Sequence, residues 1–366
     1  MTSNLSLYSN IFKKFPQNNI KFAFAYGSGV FKQINNDMKD NIIDFVFVVD
    51  DCLKFHNDNI KLNSSHYSFL KYFGPYYITR FQNDLGASCY YNTLIPIQID
   101  GTVHMIKYGI ISDKSLIRDL YDWEWLYLSG RLHKPVKIIK KQNVIESLRN
   151  EDKIKYEAND QSCYNQSEYM DDCNFDSVNK SIDLALQTNL RNALHTSLLL
   201  MPEKFNLTDL FMCITSLSYS GDLRMIVGED KRKIHNLVMP QIDQFVKLYK
   251  PYIVKECKEN FLDCNFNTGK LEQNLNQTTL YRHFNLLPKN LMRTIVNLKY
   301  KTNHYFDMEE YIYKLTNRVD YKELIAESVS TIVRYTSTIQ SLKGLLSAGL
   351  LKSFNYSTRK LKKMLK

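Results

Sequence analysis

The sequence has no apolar run that approaches the roughly 20 residues of a membrane-spanning helix, so a multi-spanning membrane protein is not expected. Its seven cysteines are an odd number and include no CxxC pair. This pattern supports neither a disulfide framework nor a zinc site, and it favours a reducing compartment. Glycine is also scarce, with only 12 in 366 residues, so two glycines on either side of one serine need an explanation.

The composition that remains is that of a globular protein with a basic surface. Apolar residues make up 44% of the 366 positions, which predicts two or three domains with substantial cores. The net charge of +10 favours a polyanionic partner, which could be nucleic acid, nucleotide phosphates or an anionic membrane. The first 36 residues carry four lysines and no acid, a pattern compatible with a mitochondrial targeting segment.

The order of patterns predicts an α/β (α+β) protein in which a mixed-sheet domain precedes a mainly helical domain. Five β-rich runs indicate strands: FAFAY, IIDFVFVV, YYITRF, ASCYYN and HMIKYGII. The run LIRDLYDWEWLYLSG is typical of a helix that ends at its glycine. Eight acidic residues between positions 151 and 176 then indicate an insertion or linker. The expected regions are 1–150, the acidic segment 151–180, the helical domain 181–300 and a helical C-terminal region 301–366.

The end of the chain predicts a basic amphipathic helix. After Glu327 the sequence contains no acid, while cations such as Arg334, Lys343 and Lys352 alternate with leucines. Such a helix can dock on the protein's own core, or it can lie in an anionic membrane interface, where each basic residue adds roughly 1 kcal/mol.

The scarce glycines follow the first predicted strand. Gly27, Ser28 and Gly29 come directly after it, and Asp44 opens the next strand. Glycines let backbone N–H groups approach a triphosphate, and the serine hydroxyl can donate to it. Asp44 would hold a divalent cation against the phosphates. This order is the outline of a nucleotidyltransferase active site, although a plain turn before an edge strand gives the same pattern.

The usual second carboxylate, two residues after the first, is replaced by Val46. Asp50 lies six residues beyond Asp44, which is about 20 Å along a strand, so the two cannot share a metal. A metal would rely on one carboxylate with phosphate oxygens and water, or it would use a ligand from another segment. The candidates for that ligand are Asp37, Asp100 and Asp119.

Four other groups carry polar chemistry, each with a plainer alternative. His66 and Tyr67 lie in a polar stretch, although a lone histidine is more often structural. Lys107 interrupts an apolar strand and either reaches the surface or meets a bound phosphate. The cations of SGRLHKPVKI, which are Arg131, His133, Lys134 and Lys137, follow a helix end, where the helix dipole alone favours them. Asp222 and Arg224 lie in a segment rich in small and charged residues and could simply pair as a clamp.

Six motifs in order resemble the mitochondrial translocator assembly and maintenance family, the mitochondrial CDP-diacylglycerol synthases or phosphatidate cytidylyltransferases. They are FAYGSGVF, IDFVFVVDD, HYSFLKYFGP, IKYGIIS, LYLSGRLHKPVKI and LSYSGDLRMIVGEDKRKIHNLV. The resemblance runs from about Phe22 to Tyr252 and omits the acidic segment. It implies a nucleotidyltransferase-like domain, a winged-helix-like helical domain and a C-terminal membrane-contacting amphipathic helix.

The resemblance also implies an activity. CTP and phosphatidic acid would give CDP-diacylglycerol and pyrophosphate with Mg²⁺, peripherally on the matrix face of the inner mitochondrial membrane, for cardiolipin synthesis. Asp44, Lys107 and Arg131 would be catalytic, with Asp44 on the metal. The implied binding residues are Tyr26, Gly27, Ser28, Gly29, His66, Tyr67, Lys134, Asp222 and Arg224.

The expected partners are the two substrates and an anionic membrane, without nucleic acid. Two alternatives stay open at this point. One is a nucleotidyltransferase with another acceptor, such as RNA or a small molecule. The other is a non-catalytic import-maintenance protein with a degenerate site, which the missing second carboxylate favours.

Overall fold

A computed structural model describes residues 2–31, 41–141, 182–226, 232–300 and 307–348. The first part of the chain forms a five-stranded sheet in the order β3-β4-β2-β1-β5. Its strands are β1 Ile20–Tyr26, β2 Ile43–Val49, β3 Tyr90–Ile99, β4 Thr102–Ser112 and β5 Lys137–Lys141. β2 and β4 are parallel and the other neighbours are antiparallel, so the predicted mixed sheet is confirmed.

Both faces of this sheet are covered, because each strand alternates side chains between two apolar layers. We call them the Phe47 face and the Val46 face after neighbouring residues of β2, which belong to different core clusters. The helices of this part are α1 Thr2–Phe12, α2 Cys52–Leu62, α3 Gly74–Asn83, α4 Asp113–Asp122 and α5 Ser129–Leu132. The first three contribute to the Phe47 face and the last two to the Val46 face.

Two local predictions were wrong. The run YYITRF lies in helix α3, which begins at Gly74 with a proline in its first turn and buries Ile78 and Gln82, four residues apart. The aromatic and β-branched residues of this run have high strand propensity, but helical burial of one face decides its structure. The helix predicted up to Gly130 ends at Asp122 instead, because Trp123 adopts the left-handed conformation.

The second part is helical with a small antiparallel sheet in the order β6-β8-β7. Its strands are β6 Lys204–Asn206, β7 Leu262–Asn265 and β8 Lys270–Gln273. Its helices are α6 Ile182–Leu200, α7 Leu207–Ser216, α8 Leu223–Ile226, α9 Lys233–Val238, α10 Ile242–Lys258, α11 Gln277–Asn285, α12 Lys289–Tyr300, α13 Met308–Thr316 and α14 Tyr321–Ala348. Residues from α6 to α14 share one apolar core, which also receives Trp123 from the first part.

Helix α14 extends from this core back to the first part of the chain. Gln340 accepts a hydrogen bond from the N–H of Ala87 at 3.2 Å and donates to the carbonyl of Cys89 at 3.0 Å. Lys343 is buried and donates to the carbonyls of Gln82 and Leu85 at 2.7 and 2.8 Å. Of the two alternatives that the sequence left open for this helix, docking on the protein itself holds for Lys343, because its ammonium group binds backbone acceptors of the first part.

The tail predicted at the end of the chain is described only as far as residue 348. Its last 18 residues, including Lys352 and the cluster of lysines after it, lie outside the described residues. No helix in the described ranges combines the length and apolarity needed to cross a membrane.

Candidate active site

Three polar side chains lie side by side on the Val46 face, where the strands bring them into register. Tyr26 of β1 pairs with Asp44 of β2, and Asp44 pairs with Lys107 of β4. Neighbouring strands are about 4.8 Å apart, and paired residues point to the same face. The sheet therefore places a carboxylate next to a lysine at one edge of an otherwise apolar surface, and Asp44 is only half-buried there.

The Gly-Ser-Gly turn packs directly against this carboxylate. Gly27 has a φ of 83°, and a Cβ atom built on it would lie 3.0 Å from Oδ2 of Asp44. A Cβ on Gly29 would lie 2.5 Å from the carbonyl oxygen of Ile42, at the start of the Asp44 strand. Asn41 donates a side-chain hydrogen bond to the carbonyl of Ser28 at 3.1 Å. Glycine is thus required at both positions because the backbone turn and the aspartate strand touch.

Three tyrosine rings contact the neighbouring cations. The ammonium of Lys107 lies 4.5 Å from the ring centroid of Tyr91. The guanidinium of Arg131 lies 3.8 Å from the ring of Tyr127 and 5.5 Å from that of Tyr26. Such cation–π contacts attract the positive charge to the ring face and so help to position it. The sequence reasoning missed Tyr91 and Tyr127; only the four-residue spacing between Tyr127 and Arg131 could have indicated one of them.

Lys134 brings a further positive charge to the junction between the two parts. Its ammonium donates to the hydroxyl of Ser218 at 2.7 Å and lies 4.7 Å from the ring of Tyr219. None of the described carboxylates forms a salt bridge with it. Its pKa is lowered well below the usual value by burial first, and then by the charges of Arg131 and Lys233. An anion bound here would offset this effect and favour the charged form of the lysine.

Asp222 and Arg224 form the clamp that the sequence left as an alternative. Asp222 is 2% exposed, and its carboxylate accepts from the Arg224 guanidinium at 2.5 to 3.0 Å. Burial alone would raise the pKa of Asp222, but the hydrogen bonds and charge of Arg224 lower it overall, and the charge of Arg131 adds to this. Gly130 lets this segment approach the first part, since a Cβ there would lie 2.3 Å from Cβ of Ser218. The pair therefore lies beside Arg131.

His66 and Tyr67 are not brought to this cluster. The Nδ1 atom of His66 lies 3.0 Å from the hydroxyl of Tyr108, and the Tyr67 hydroxyl accepts from Asn59 at 3.0 Å. Tyr108 follows Lys107 on β4, so it points to the Phe47 face. The sheet therefore separates His66 and Tyr67 from Asp44.

His133, which the sequence grouped with Arg131 and Lys134, does not add a positive charge to the site. Burial lowers its pKa to about 3, and its Nε2 atom lies 3.0 Å from Oδ1 of Asn189.

The positions of Asp119 and Asp100 argue against either of them as a second metal ligand beside Asp44. Asp119 is buried and accepts from the backbone N–H groups of Trp125, Leu128 and Ser129 at 2.9 to 3.0 Å, so it closes a loop. Asp100 lies in the turn between β3 and β4, and seven residues separate it from Lys107, which is about 20 Å along the strand. Asp37 lies outside the described residues.

A mixed sheet in which a Gly-Ser-Gly turn packs against a carboxylate on the next strand defines a nucleotidyltransferase-like protein, here with cations around the carboxylate. The sequence also matches the profile of the family described as mitochondrial phosphatidate cytidylyltransferase, at residues 8–158 and 173–363. The chain belongs to this family, as the resemblance predicted.

Curated relatives agree with this assignment over nearly the whole chain. Proteins named mitochondrial phosphatidate cytidylyltransferase are 38% identical in Xenopus laevis, 37% in Mus musculus and 35% in Caenorhabditis elegans. The matches cover 98%, 97% and 98% of this chain, and 94%, 94% and 98% of the respective relatives.

Proposed function

We propose that this protein is a phosphatidate cytidylyltransferase, which transfers CMP from CTP to phosphatidic acid and releases pyrophosphate. The observation that carries the proposal is the position of Asp44, between the Gly27 turn and Lys107 on one face of the sheet. The names of the relatives identify both the nucleotide and the lipid as substrates of those proteins. The product on this chain would be CDP-diacylglycerol.

The reaction needs positive charge more than a base. An oxygen of the phosphatidate headgroup attacks the α-phosphorus of CTP, a new P–O bond forms, and the bond to the bridging oxygen of pyrophosphate breaks. The attacking phosphate is already deprotonated near neutral pH, so no side chain has to remove a proton. The barrier is the approach of an anion to an anionic triphosphate, which fixed cations lower.

Different residues of the site would bind the triphosphate and neutralise its charge. The backbone N–H groups of residues 27 to 29 would bind the triphosphate, as glycine turns at strand ends do. Lys107 and Arg131 would neutralise phosphate oxygens from the positions that their aromatic partners give them. Lys134 would bind a phosphate at the junction with the helical part, where the Asp222–Arg224 pair lies alongside. His66 and Tyr67 support the sheet from its other face.

A magnesium ion fits the donors present. Mg²⁺ in nucleotide sites is commonly held by one or two carboxylates together with substrate phosphates and water. Asp44 offers one half-buried carboxylate beside the phosphate-binding turn, which satisfies that requirement. When bound, the ion would neutralise phosphate charge between nucleophile and leaving group. The chain's own contribution is to place Asp44 on β2, in register with Tyr26 and Lys107.

We further propose that the protein acts peripherally on the matrix side of the inner mitochondrial membrane and supplies cardiolipin synthesis. The relatives carry a mitochondrial designation, and the proposed substrate is a membrane lipid. The basic end of the chain would contribute attraction to anionic lipid.

The test is formation of CDP-diacylglycerol from labelled CTP and phosphatidic acid with Mg²⁺. Asp44→Asn is expected to reduce turnover by about 100-fold or more, because it removes the charge that would hold the metal. Asp100→Asn is the matched control and should keep full turnover, since asparagine tolerates the left-handed conformation of this turn residue. A wild type that makes no product in any lipid or detergent would refute the proposal, and an unimpaired Asp44→Asn would refute the metal assignment.

A further inference from the structure

Exposed aromatic residues are concentrated on one surface of the first part of the chain. The structure describes 21 large hydrophobic side chains as exposed, and nine of them lie together in the turn before α3, in α3, after it, and at the end of α14. We call these nine the aromatic surface: Phe69, Tyr72, Phe73, Tyr76, Tyr77, Leu85, Leu342, Leu345 and Leu346. So many exposed apolar side chains in one place mark an interaction site rather than chance exposure.

Contacts join the segments that carry the aromatic surface. The rings of Phe69 and Phe73, Phe73 and Tyr77, and Tyr76 and Tyr77 contact each other with centroids 5.7 to 6.5 Å apart. The hydroxyl of Ser68 donates to the carbonyl of Leu346 at 3.2 Å, which joins the aromatic turn to the end of α14. The buried Lys343 ties the same helix end to the loop after α3. These contacts hold the aromatic turn, the loop after α3 and the end of α14 together.

Cations outnumber acids in the segments that carry this patch. Residues 59–83 and 328–348 contain no aspartate or glutamate. Lys71 and Arg80 lie within the first of these ranges, and the nearest acid that follows, Asp84, is held by Arg80 with 2.6 Å between Nε and Oδ2. Aromatic rings with cations beside them and few acids are the composition of surfaces that lie at a lipid–water interface.

We infer that the aromatic surface is a membrane-docking site for an anionic phospholipid bilayer, separate from the basic tail. Its tyrosine and phenylalanine rings would lie at the depth of the lipid headgroups, with Lys71 at the phosphates. The inference rests on the proposed function in one respect: a two-chain phosphatidate must be taken from a bilayer, so the catalytic part itself has to approach one.

Flotation of the full chain with vesicles of phosphatidylcholine and phosphatidylglycerol tests the surface. Replacing two of its most exposed rings, in Tyr72→Ser with Tyr77→Ser, is expected to weaken vesicle binding by about tenfold or more, through lost apolar burial. The matched control is Tyr313→Ser with Val319→Ser, which changes two side chains on and after α13 that are also more than half exposed, and it should bind like the wild type. Thermal unfolding of each variant verifies that the fold is retained.

Contact is measured directly by quenching. Tyr77→Trp should be quenched by vesicles with brominated lipid chains, more strongly than Tyr313→Trp, each compared with the wild type. Equal flotation of the surface variant and its control, or no added quenching of Tyr77→Trp, would overturn the inference. Loss of self-association in the surface variant with unchanged flotation would also overturn it, in favour of a contact between copies of the chain.

Turnover separates this inference from the proposed function. The surface variant should keep normal turnover with a short-chain, water-soluble phosphatidate and lose it with phosphatidate in vesicles. If the wild type makes no CDP-diacylglycerol from either substrate, the proposed function fails, while flotation and quenching still decide whether the surface binds membranes. If the variant loses turnover equally with both substrates, the surface acts on the catalytic centre and the docking role is refuted.

Discussion

At the scale of single residues, position 27 is the one where both the backbone conformation and the contact with Asp44 require glycine. Gly27→Ala is expected to reduce CTP turnover by about 100-fold, because its new methyl group would press on Oδ2 of Asp44 at 3.0 Å. It should also lower stability by about 1–2 kcal/mol, since alanine at positive φ is strained. Turnover and thermal unfolding measure the two effects.

Gly101→Ala is the control that separates the effect of backbone strain from the effect of contact with Asp44. Gly101 has a similar φ of 78°, and a Cβ there would meet nothing within 4 Å. This variant should lose comparable stability while its turnover stays normal. Equal turnover in both variants would show that the Gly27 turn is ordinary punctuation between strands.

The buried charge of Lys134 is expected to lower the stability of the fold while it contributes to substrate binding. Its folded pKa is lowered by burial and by neighbouring cations, so between that value and the unfolded value near 10.4 the unfolded chain binds more protons. The wild type therefore gains stability as the pH rises through this interval. Lys134→Met removes the charge, so it should raise the unfolding temperature by about 2 °C or more near neutral pH, with a smaller gain near pH 10.

Lys134→Met should also lose most of its affinity for CTP or phosphatidate, and an increase in KM for that substrate would show this loss. Lys258→Met, which changes an exposed lysine on α10, should alter neither the unfolding temperature nor KM. A Lys134→Met protein that is less stable at every pH would mean that the hydrogen bond to Ser218 outweighs the burial of the charge.

At the scale of elements, the sequence predicted the features that local pattern determines. β1, β2 and β4 are confirmed because each is a short apolar run of strand-favouring residues, and the Gly27 turn was predicted because glycine is needed for a specific backbone shape. Helix α3 was missed because its tyrosines favour strands in isolation, whereas burial of Ile78 and Gln82 on one side selects a helix.

The cluster around Asp44 depends on strand register, which local pattern does not contain. Lys107 reaches Asp44 because β4 lies parallel to β2 with these two residues paired. Tyr91 meets Lys107 only because β3 then pairs with β4. A shift of one residue would move all of these side chains to the other face. The sequence predicted that His66 and Tyr67 belong to the site, but local pattern does not show which face of the sheet their segment covers. In the structure His66 contacts Tyr108 on the Phe47 face, opposite Asp44.

At the scale of the whole molecule, helix α14 connects the helical core to the sheet and carries the basic end of the chain. Thr336, Gln340 and Lys343 are all buried, so a chain that ends near residue 336 would lose contacts that support the fold. A chain that ends at residue 348 keeps the contacts of these three residues and removes six lysine and arginine residues. The second truncation is therefore the one that isolates the electrostatic role of the tail.

We expect the chain ending at residue 348 to unfold at the same temperature as the full chain but to bind anionic vesicles less tightly. Each cation near such a surface contributes about 1 kcal/mol, so the loss should reach at least 100-fold at low salt. The difference should shrink as salt rises, because exposed charges are screened within about 10 Å at 0.1 M. Binding that is equal at low salt would remove the membrane role of the tail and leave the aromatic surface as the remaining contact. A lower unfolding temperature would instead mean that the tail packs on the protein.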